Sequence, residues 1–420
     1  MTERMLGPRR PAARSQRARS QRARRLPTVW HVRYRLTPWW GKVLVVWALS
    51  RLVTTSLILV LESVQGPNAW TGASPKYADF ATMWDGRWYN IVAMLGYPSV
   101  LPITDTGQVG ENAWAFMPGY PFVARLLMEL TSFPWAPVAV FVSVVFSLGT
   151  ALLFYRLMAR VQPPNTALFS VVLFCAAPLS PILQFAYAES MYLFFLTLAL
   201  YLLLERRYWL LYPVIAVMAL TRPSGLAFAL ALGLHVIYRF VTRARDPFPR
   251  HERMLAASVA LFSALMGLAW PIAAWAATGD LMAYTDTELA WRAPYIGYVE
   301  LVPFTAWFQG GIWWLGNPWG IVVVTALILT FTVLLFTPAV RRLGVDLRLW
   351  LASYGLYLLA VFFPQSSTFR LLMPMLPLLG AAALPRSLVY RVAMVVLFVA
   401  GQWGWLLICW GVDGYDWTPP

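Results

Sequence analysis

Asp85 has the most suggestive surroundings of the 18 acidic residues in this 420-residue chain, within Trp84-Asp85-Gly86-Arg87-Trp88-Tyr89. A carboxylate between aromatic rings at a membrane surface is partly stripped of water. That makes it a stronger base than a free carboxylate, suited to taking a proton from a hydroxyl. The competing reading is structural, because Asp is a favoured N-cap for a helix that follows. Asp79 lies just upstream in Tyr77-Ala78-Asp79-Phe80, and Glu111 downstream in Glu111-Asn112-Ala113-Trp114-Ala115-Phe116. These three carboxylates are hard oxygen donors and could hold a divalent cation, but the chain offers no close D-x-D pair and no metal is assigned.

Two arginines form a second constellation, Arg222 in Thr221-Arg222-Pro223-Ser224-Gly225 and Arg370 in Pro364-Gln365-Ser366-Ser367-Thr368-Phe369-Arg370. Guanidiniums at the edge of an apolar phase are costly unless partnered. A lipid phosphate would be one partner, since Arg suits bidentate phosphate contacts. Snorkelling, or ion pairs with Glu189 or Asp79, would be the bland alternative. Glu189 sits in Tyr187-Ala188-Glu189-Ser190, where N-capping is its ordinary role. Arg51 reads most simply as a snorkelling residue at one interface.

The elements that must carry these residues follow from composition. Sixty per cent of the chain is hydrophobic and 12% is charged, against about 25% charged in an ordinary soluble domain. Long uncharged runs such as 321–338 match the ~20 residues needed to cross a bilayer. The chain therefore reads as an all-α polytopic membrane protein with about eleven spans. They fall near 43–62, 137–158, 167–186, 190–205, 208–221, 224–240, 254–277, 319–338, 349–363, 371–385 and 392–410. As a single helix, 208–240 would be roughly 50 Å long, and Pro223 and Gly225 break it, so a hairpin is expected.

The net charge of +15 sorts by side. With the N-terminus inside, 26 of the 33 basic residues and five acids fall on inner segments. The rest of the chain, mostly outer, carries seven basic and thirteen acidic residues. This asymmetry orients the protein and speaks against nucleic-acid binding. Residues 1–42 hold twelve basic residues and one acid, and read as a disordered cytoplasmic tail with a short Arg-Ser-Gln-Arg-Ala echo. Residues 43–410 form the membrane domain and 411–420 a short outer tail. Cys175 and Cys409 lie in apolar spans and read as small buried residues. No zinc spacing, P-loop or dinucleotide fingerprint occurs, and the three histidines lie on inner segments or in a span.

Two long loops make up most of the outer face, about 63–136 and 278–318. In the first, Ile91, Met94 and Leu95, then Phe122, Leu126, Leu127 and Leu130, have the spacing of amphipathic helices lying in the interface. The second holds Asp280, Asp286, Glu288, Trp291, Arg292 and Glu300 among membrane-anchoring tryptophans.

These motifs resemble, in order, those of PIG-V-type mannosyltransferases. That family comprises the second mannosyltransferase of GPI-anchor synthesis and its bacterial relatives. The stretch from Trp84 through Gly96-Tyr97 and then Trp114-Ala115-Phe116-Met117-Pro118-Gly119-Tyr120-Pro121 is similar to the family's first luminal loop. Ala188-Glu189-Ser190, Thr221-Arg222-Pro223-Ser224-Gly225 and Ser367-Thr368-Phe369-Arg370-Leu371-Leu372-Met373-Pro374 resemble its later motifs. The likeness covers roughly residues 79–374. Met117, Gly119, Ala188 and Pro223-Ser224 depart from the pattern and bear on the sugar and acceptor.

The resemblance implies a GT-C glycosyltransferase. Such an enzyme moves a sugar, mannose first, from a polyprenyl-phosphate carrier to a glycolipid, glycan or protein hydroxyl on the outer face, with inversion. It implies Asp85 as general base, Asp79 as second candidate, and Arg370 and Arg222 as holders of the donor phosphate. Trp84, Arg87, Tyr89, Glu111, Trp114, Glu189 and Gln365 are candidate substrate contacts. The Arg-rich, Ala-rich usage suggests a bacterial plasma membrane. Transfer of another polyprenyl-linked sugar, such as arabinose, is the nearest alternative. A lipid or solute transporter is the alternative from another class, and it would favour internally repeated halves, which the chain lacks.

Overall fold

The computed structural model describes residues 36–411 and residue 419. Residues 1–35, most of the expected basic tail, and nearly all of the expected tail at 411–420 lie outside the described residues. The chain divides into Met1–Trp39 and Trp40–Pro420.

In chain order the helices are α1 (Trp39–Val64), α2 (Tyr77–Thr82), α3 (Asp85–Leu95), α4 (Gly119–Thr131), α5 (Trp135–Met158), α6 (Pro164–Ala176), α7 (Glu189–Leu204), α8 (Tyr208–Ala219), α9 (Gly225–Val241) and α10 (Arg250–Thr278). There follow α11 (Ala283–Ala290), α12 (Ala293–Ile296), α13 (Ala306–Leu315), α14 (Trp319–Phe336), α15 (Pro338–Arg341), α16 (Val345–Val361), α17 (Thr368–Leu371), α18 (Pro377–Ala382) and α19 (Leu388–Trp410). No strand occurs among the described residues, only two isolated β-bridges. The protein is a polytopic helical membrane protein.

Helices α1, α5, α10, α14 and α19 are each long and apolar enough to cross a bilayer. Helices α6 to α9 are apolar but have only 12–17 residues. At 1.5 Å per residue they rise roughly 18–26 Å, less than a bilayer core. Irregular backbone is tolerated at that depth when protein covers it, and α7 is buried along most of its length.

Helix occupies every stretch where a span was expected, but two stretches are broken by proline. In 167–186, Pro178 and Pro181 end α6 at Ala176 and leave a 3₁₀ turn at Ser180–Gln184. The freed carbonyls need donors, and Arg51 supplies them. Its guanidinium donates to the Ser180 carbonyl (2.8 Å) and the Cys175 carbonyl (3.1 Å), while Gln402 donates to the Ala176 carbonyl (2.8 Å). Arg51 is thus a buried cap for a broken helix and not the snorkelling residue expected. In 371–385, Pro374 and Pro377 split the segment into α17, a 3₁₀ turn and α18. There Trp350 donates to the Pro374 carbonyl (2.9 Å) and Tyr354 to the Leu371 carbonyl (2.8 Å).

The hairpin expected over 208–240 is present as α8 and α9. Pro223 disfavours helical backbone at Arg222, and α9 restarts at Gly225. Any side chain at Gly225 would collide with the backbone of Gly267, 2.6 Å from its nitrogen, so α9 and α10 touch backbone to backbone there. The first loop is folded and not a linker. Tyr89, Val92, Phe116, Tyr120 and Ala124 from α3, α4 and the connection between them pack with Trp135, Val138 and Val142 of α5. Tyr120 donates to the Ala139 carbonyl at 2.7 Å. The opposite faces of α3 and α4 leave Met94, Leu95, Phe122, Leu126 and Leu130 exposed, as expected of helices lying on a membrane surface.

Candidate active site

Asp85 is placed by a strained turn. Trp84, the residue before α3, adopts φ 58° and ψ −120°, a backbone region that bulky residues rarely occupy. Its indole donates to the Cys409 carbonyl at the end of α19 (2.8 Å), and its ring lies 4.9 Å from that of Trp70. Strain of this kind persists only where the surroundings enforce it. Asp85 is therefore the first residue of α3, and the residue before it caps the helix without a side-chain hydrogen bond. Gly86 allows a close approach, since a Cβ there would sit 3.3 Å from the Ala186 carbonyl oxygen. The Ala186 amide donates to the Ala81 carbonyl at 2.7 Å. The start of α3 is thereby fixed against the segment that leads into α7, whose first residue is Glu189.

Arg222 is placed by the break between α8 and α9. Gly119, at the start of α4, donates its amide to the Leu220 carbonyl (2.7 Å), and a Cβ there would lie 2.7 Å from the Thr221 hydroxyl oxygen. At the other side of the break, Ser263 donates to the Gly225 carbonyl (2.8 Å). Arg370 projects from the short turn α17, with its guanidinium 5.5 Å from the centre of the Tyr187 ring.

These pieces meet in a cluster of four charges. Arg370 is in direct contact with the Asp85 carboxylate, and its Nε is 3.3 Å from Glu189 Oε1. Arg222 is 3.0 Å from Glu189 Oε1 and 3.9 Å from Asp85 Oδ2. Two positive and two negative groups sum to zero, which is how the protein carries buried charges whose individual desolvation costs several kcal/mol each. The two arginines are thus paired with carboxylates of the chain itself, Glu189 as the sequence alternative had it, while Asp79 takes no part. Asp85, expected as a desolvated carboxylate between aromatic rings, has a side chain only 15% exposed and in addition faces two guanidiniums.

The cluster lines a cavity of ≈ 700 Å³. Of the expected contacts, Trp84, Arg87, Glu111, Glu189 and Gln365 line it as well. Arg87 sits 5.9 Å from the centre of the Trp70 ring, and Gln365 donates to the Ser367 hydroxyl (3.2 Å). Of the other three expected residues, Asp79 and Trp114 lie elsewhere and Tyr89 stands behind the cavity wall. Asp79 accepts the Lys76 amide (2.9 Å) and caps α2. Tyr89 is 1% exposed, its ring packing in the core of the first loop while its hydroxyl meets the Arg222 guanidinium behind the cavity wall. Trp114 donates to the Pro98 carbonyl (2.9 Å) and stacks with Tyr97 and Trp270. Among the described residues no three His, Cys, Asp or Glu side chains converge as a cation site requires. Asp79 is turned into its helix cap and Asp85 into its arginines, so the carboxylates proposed for a divalent cation do not assemble, and no step is routed through one.

The cavity also has a wall that motif reading did not assign. Glu288, Trp291, Arg292 and Tyr295 come from α11 and the residues after it, while Trp88, Tyr192 and Tyr354 come from α3, α7 and α16. The second loop reaches the first through Asn112, whose amide donates to the Thr287 hydroxyl (2.8 Å). Trp88 meets Trp291 edge-on at 5.5 Å. Burial pushes the Glu288 carboxyl above the usual range, against the opposing pull of Arg292, and burial does the same at Glu111. For Tyr192 the sequence holds one usable signal. It follows Glu189 by three residues, so the two share a helix face.

No protein-family model and no curated protein matches the chain. Among solved structures it is similar to the crystal structure of the oligosaccharyltransferase of Archaeoglobus fulgidus tethered to an acceptor peptide. Identity is 13% and the TM-score 0.41, over 86% of this chain and 53% of that one. The chain spans about half the length of that structure.

Proposed function

We propose that the chain is a GT-C-type glycosyltransferase of the bacterial plasma membrane, with its N-terminus in the cytoplasm and its site on the outer face. It moves a sugar, mannose first, from a polyprenyl-phosphate carrier to a hydroxyl of a glycolipid, glycan or protein. The observation that carries this reading is the placement of Asp85 against Arg370, with Arg222 3.9 Å away, in one cavity walled by tryptophans. The order of motifs that resemble the PIG-V-type enzymes names the chemistry.

The residues divide the work as follows. Arg370 and Arg222 hold the phosphate of the donor and stabilise the charge that grows on it as the bond to the sugar breaks. Asp85 takes the proton of the acceptor hydroxyl, whose oxygen attacks the anomeric carbon from the face opposite the phosphate, and the configuration inverts. A phosphate that reaches the guanidiniums competes with Asp85 for Arg370. The carboxylate oxygen released in that exchange is the one that accepts the proton, so donor binding and base activation are linked. Holding both substrates beside Asp85 supplies the orientation that makes the step effectively unimolecular. Trp84, Trp88 and Trp291 offer flat faces to the sugars, and Glu111 and Glu288 offer acceptors to their hydroxyls.

The test is sugar transfer in membranes that contain the overproduced protein. The expected result is transfer from mannosyl-phospho-polyprenol, with inversion, and none from a mannose nucleotide. Faster turnover of an arabinosyl or glucosyl donor would reassign the sugar. Failure with every polyprenyl-linked sugar would end the reading.

A further inference from the structure

Asp85 and Glu189 neutralise the same two arginines, yet they are held in different ways. The Glu189 side chain is 3% exposed, against 15% for Asp85. Its Oε1 lies 3.0 Å from Arg222 and 3.3 Å from Arg370, so one oxygen bridges both cations. Asp85 contacts Arg370 directly but stands 3.9 Å from Arg222. The backbone on either side of Glu189 is tied to α5. Ser143 donates to the Tyr187 carbonyl (3.2 Å) and Thr150 to the Ser190 carbonyl (3.3 Å). Asp85 is thus the carboxylate that an entering anion can displace, and Glu189 is the one that stays.

The charges then decide what the arginines can hold. With Asp85 displaced, two guanidiniums and one fixed carboxylate leave one net positive charge. A phosphodiester carries one negative charge and matches it. A phosphomonoester carries two once its second proton is lost near pH ~6, and exceeds it. Glu189 differs from a glutamine of the same shape in little but charge. Its Oε2 makes no hydrogen bond, and an amide would spare the desolvation of a second buried carboxylate. The proposed reaction turns the matched ligand into the unmatched one. The bond between the anomeric carbon and the phosphate oxygen breaks with both electrons passing to that oxygen. The acceptor oxygen bonds to the anomeric carbon, and its proton passes to Asp85. The diester becomes a monoester dianion as Asp85 becomes neutral, so charge is conserved. When Asp85 yields that proton to water, its carboxylate competes again for Arg370.

We infer that Glu189 determines the anion specificity of the site: by holding the arginine pair to one net positive charge, it favours the donor phosphodiester over the phosphomonoester product and so speeds product release. The inference rests on the glycosyltransferase reading for the identity of both phosphates. Glu189 acts through Arg222 and Arg370 and is a positioning residue. Its charge, more than its shape, is what the site uses.

The experiment uses the full-length protein in detergent at pH ~8, where a phosphomonoester is a dianion. Its own tryptophan fluorescence follows three probes: a short-chain polyprenyl phosphate, the methyl diester of that phosphate, and the uncharged polyprenol. A charge within about 4–6 Å shifts the protonation of a neighbouring group by one to three tenfold steps, and the same scale applies to choosing between a monoanion and a dianion. The parent protein should therefore bind the diester about tenfold or more tightly than the monoester. Glu189→Gln should move that ratio toward the monoester by about tenfold or more. A parent that binds the monoester as tightly as the diester overturns the inference, and this arm needs no variant to fold. An unchanged ratio in Glu189→Gln, with both affinities equal to the parent's or shifted in parallel, overturns it too, because a purely structural carboxylate would act on both probes alike. If the parent binds the polyprenol as tightly as either phosphate, the phosphate reading of the whole cavity fails, and the glycosyltransferase reading fails with it.

Discussion

The bundle buries charge at both ends, and the two clusters are built from the same residue types. At the end opposite the cavity, Arg239 of α9 contacts Glu252, donates to the Tyr208 hydroxyl (3.1 Å) and to the Pro247 carbonyl (2.8 Å), and lies 3.5 Å from Asp246. Its guanidinium sits 4.4 Å from the centre of the Phe248 ring. His235 shares hydrogen bonds with Tyr208 (2.8 Å) and Asp346 (2.7 Å), so both ring nitrogens are engaged. These contacts tie together the ends of α8, α9, α10 and α16. One polar atom is left over there, Arg239 Nε, 3.5 Å from Asp246, while the Asp85 cluster ties together as many elements and leaves its unpaired atoms beside a cavity. The Trp291 indole nitrogen and Glu189 Oε2 make no hydrogen bond, and both residues border the cavity. Buried charge by itself therefore does not mark a site, since a network can exist to hold helices together. Buried charge with unpaired polar atoms beside a cavity is the combination on which we propose one.

The comparison breaks most visibly at the two residues that centre the clusters. Asp85→Asn removes the base and should lower sugar transfer by about 10³-fold or more, within the range that general-base groups supply. Transfer per folded molecule, measured in membranes at matched protein levels, checks this. Turnover within tenfold of the parent would move the base to Glu288, Glu111 or Glu189, the other carboxyls of the cavity. Arg239→Ala should do the reverse. It leaves Glu252 and Tyr208 without their buried partner, a loss worth about 3–5 kcal/mol of stability. Transfer per folded molecule should stay the same at a permissive temperature. Unfolding in detergent followed alongside turnover separates the two effects. A stable Arg239→Ala protein that had lost transfer would show that the far cluster is a site after all.

Much of this contrast could be read from residue types, and the part that could not has a definite physical origin. The spans, the 208–240 hairpin and the interfacial helices follow from hydropathy and local spacing, which are properties of short stretches. Arg222 and Arg370 stood out because a guanidinium in an apolar context requires a partner wherever the chain goes. Arg51 met the same requirement in a way spacing does not show. Pro178 and Pro181, far along the chain, opened a helix, and the arginine closed it. Asp79 and Asp85 look alike in sequence. The difference is that Asp79 stands at the third position of α2, where its carboxylate reaches back to the Lys76 amide, while the strained Trp84 turns Asp85 into the cavity. Trp114 shares the motif, yet its role is to pack the loop that holds the site, while Tyr89 packs the same loop and also meets Arg222. Glu288 and Tyr192 reach the cavity only because the second loop folds onto the first and α7 begins at Glu189, which are facts of tertiary packing.

The smallest expected effect sharpens the contrast from the stability side. Glu288 lies in α11, outside the spans, with Arg292, Tyr284, Arg222 and Asp85 as its electrostatic neighbours. Burial raises its carboxyl above the ordinary value of 4.5, so the folded protein holds this proton to a higher pH than the unfolded chain does. Between the two values the folded state binds more protons, and stability falls as pH rises through that window. Glu288→Gln removes the titration. Its stability should be flatter than the parent's from pH 4.5 upward and should exceed it at neutral pH by about 1 kcal/mol or less, the scale of an ordinary single substitution. On the proposed reading, with Glu288 accepting from an acceptor hydroxyl, acceptor saturation should need more substrate while donor saturation stays the same. Unfolding temperatures from pH 5 to 8 and the two saturation curves test both halves. A variant less stable than the parent at neutral pH would place Glu288 with the satisfied groups of the far cluster. A protein that gains stability as it loses acceptor affinity would show that the cavity keeps a buried carboxyl, at a cost in stability, for use on a substrate.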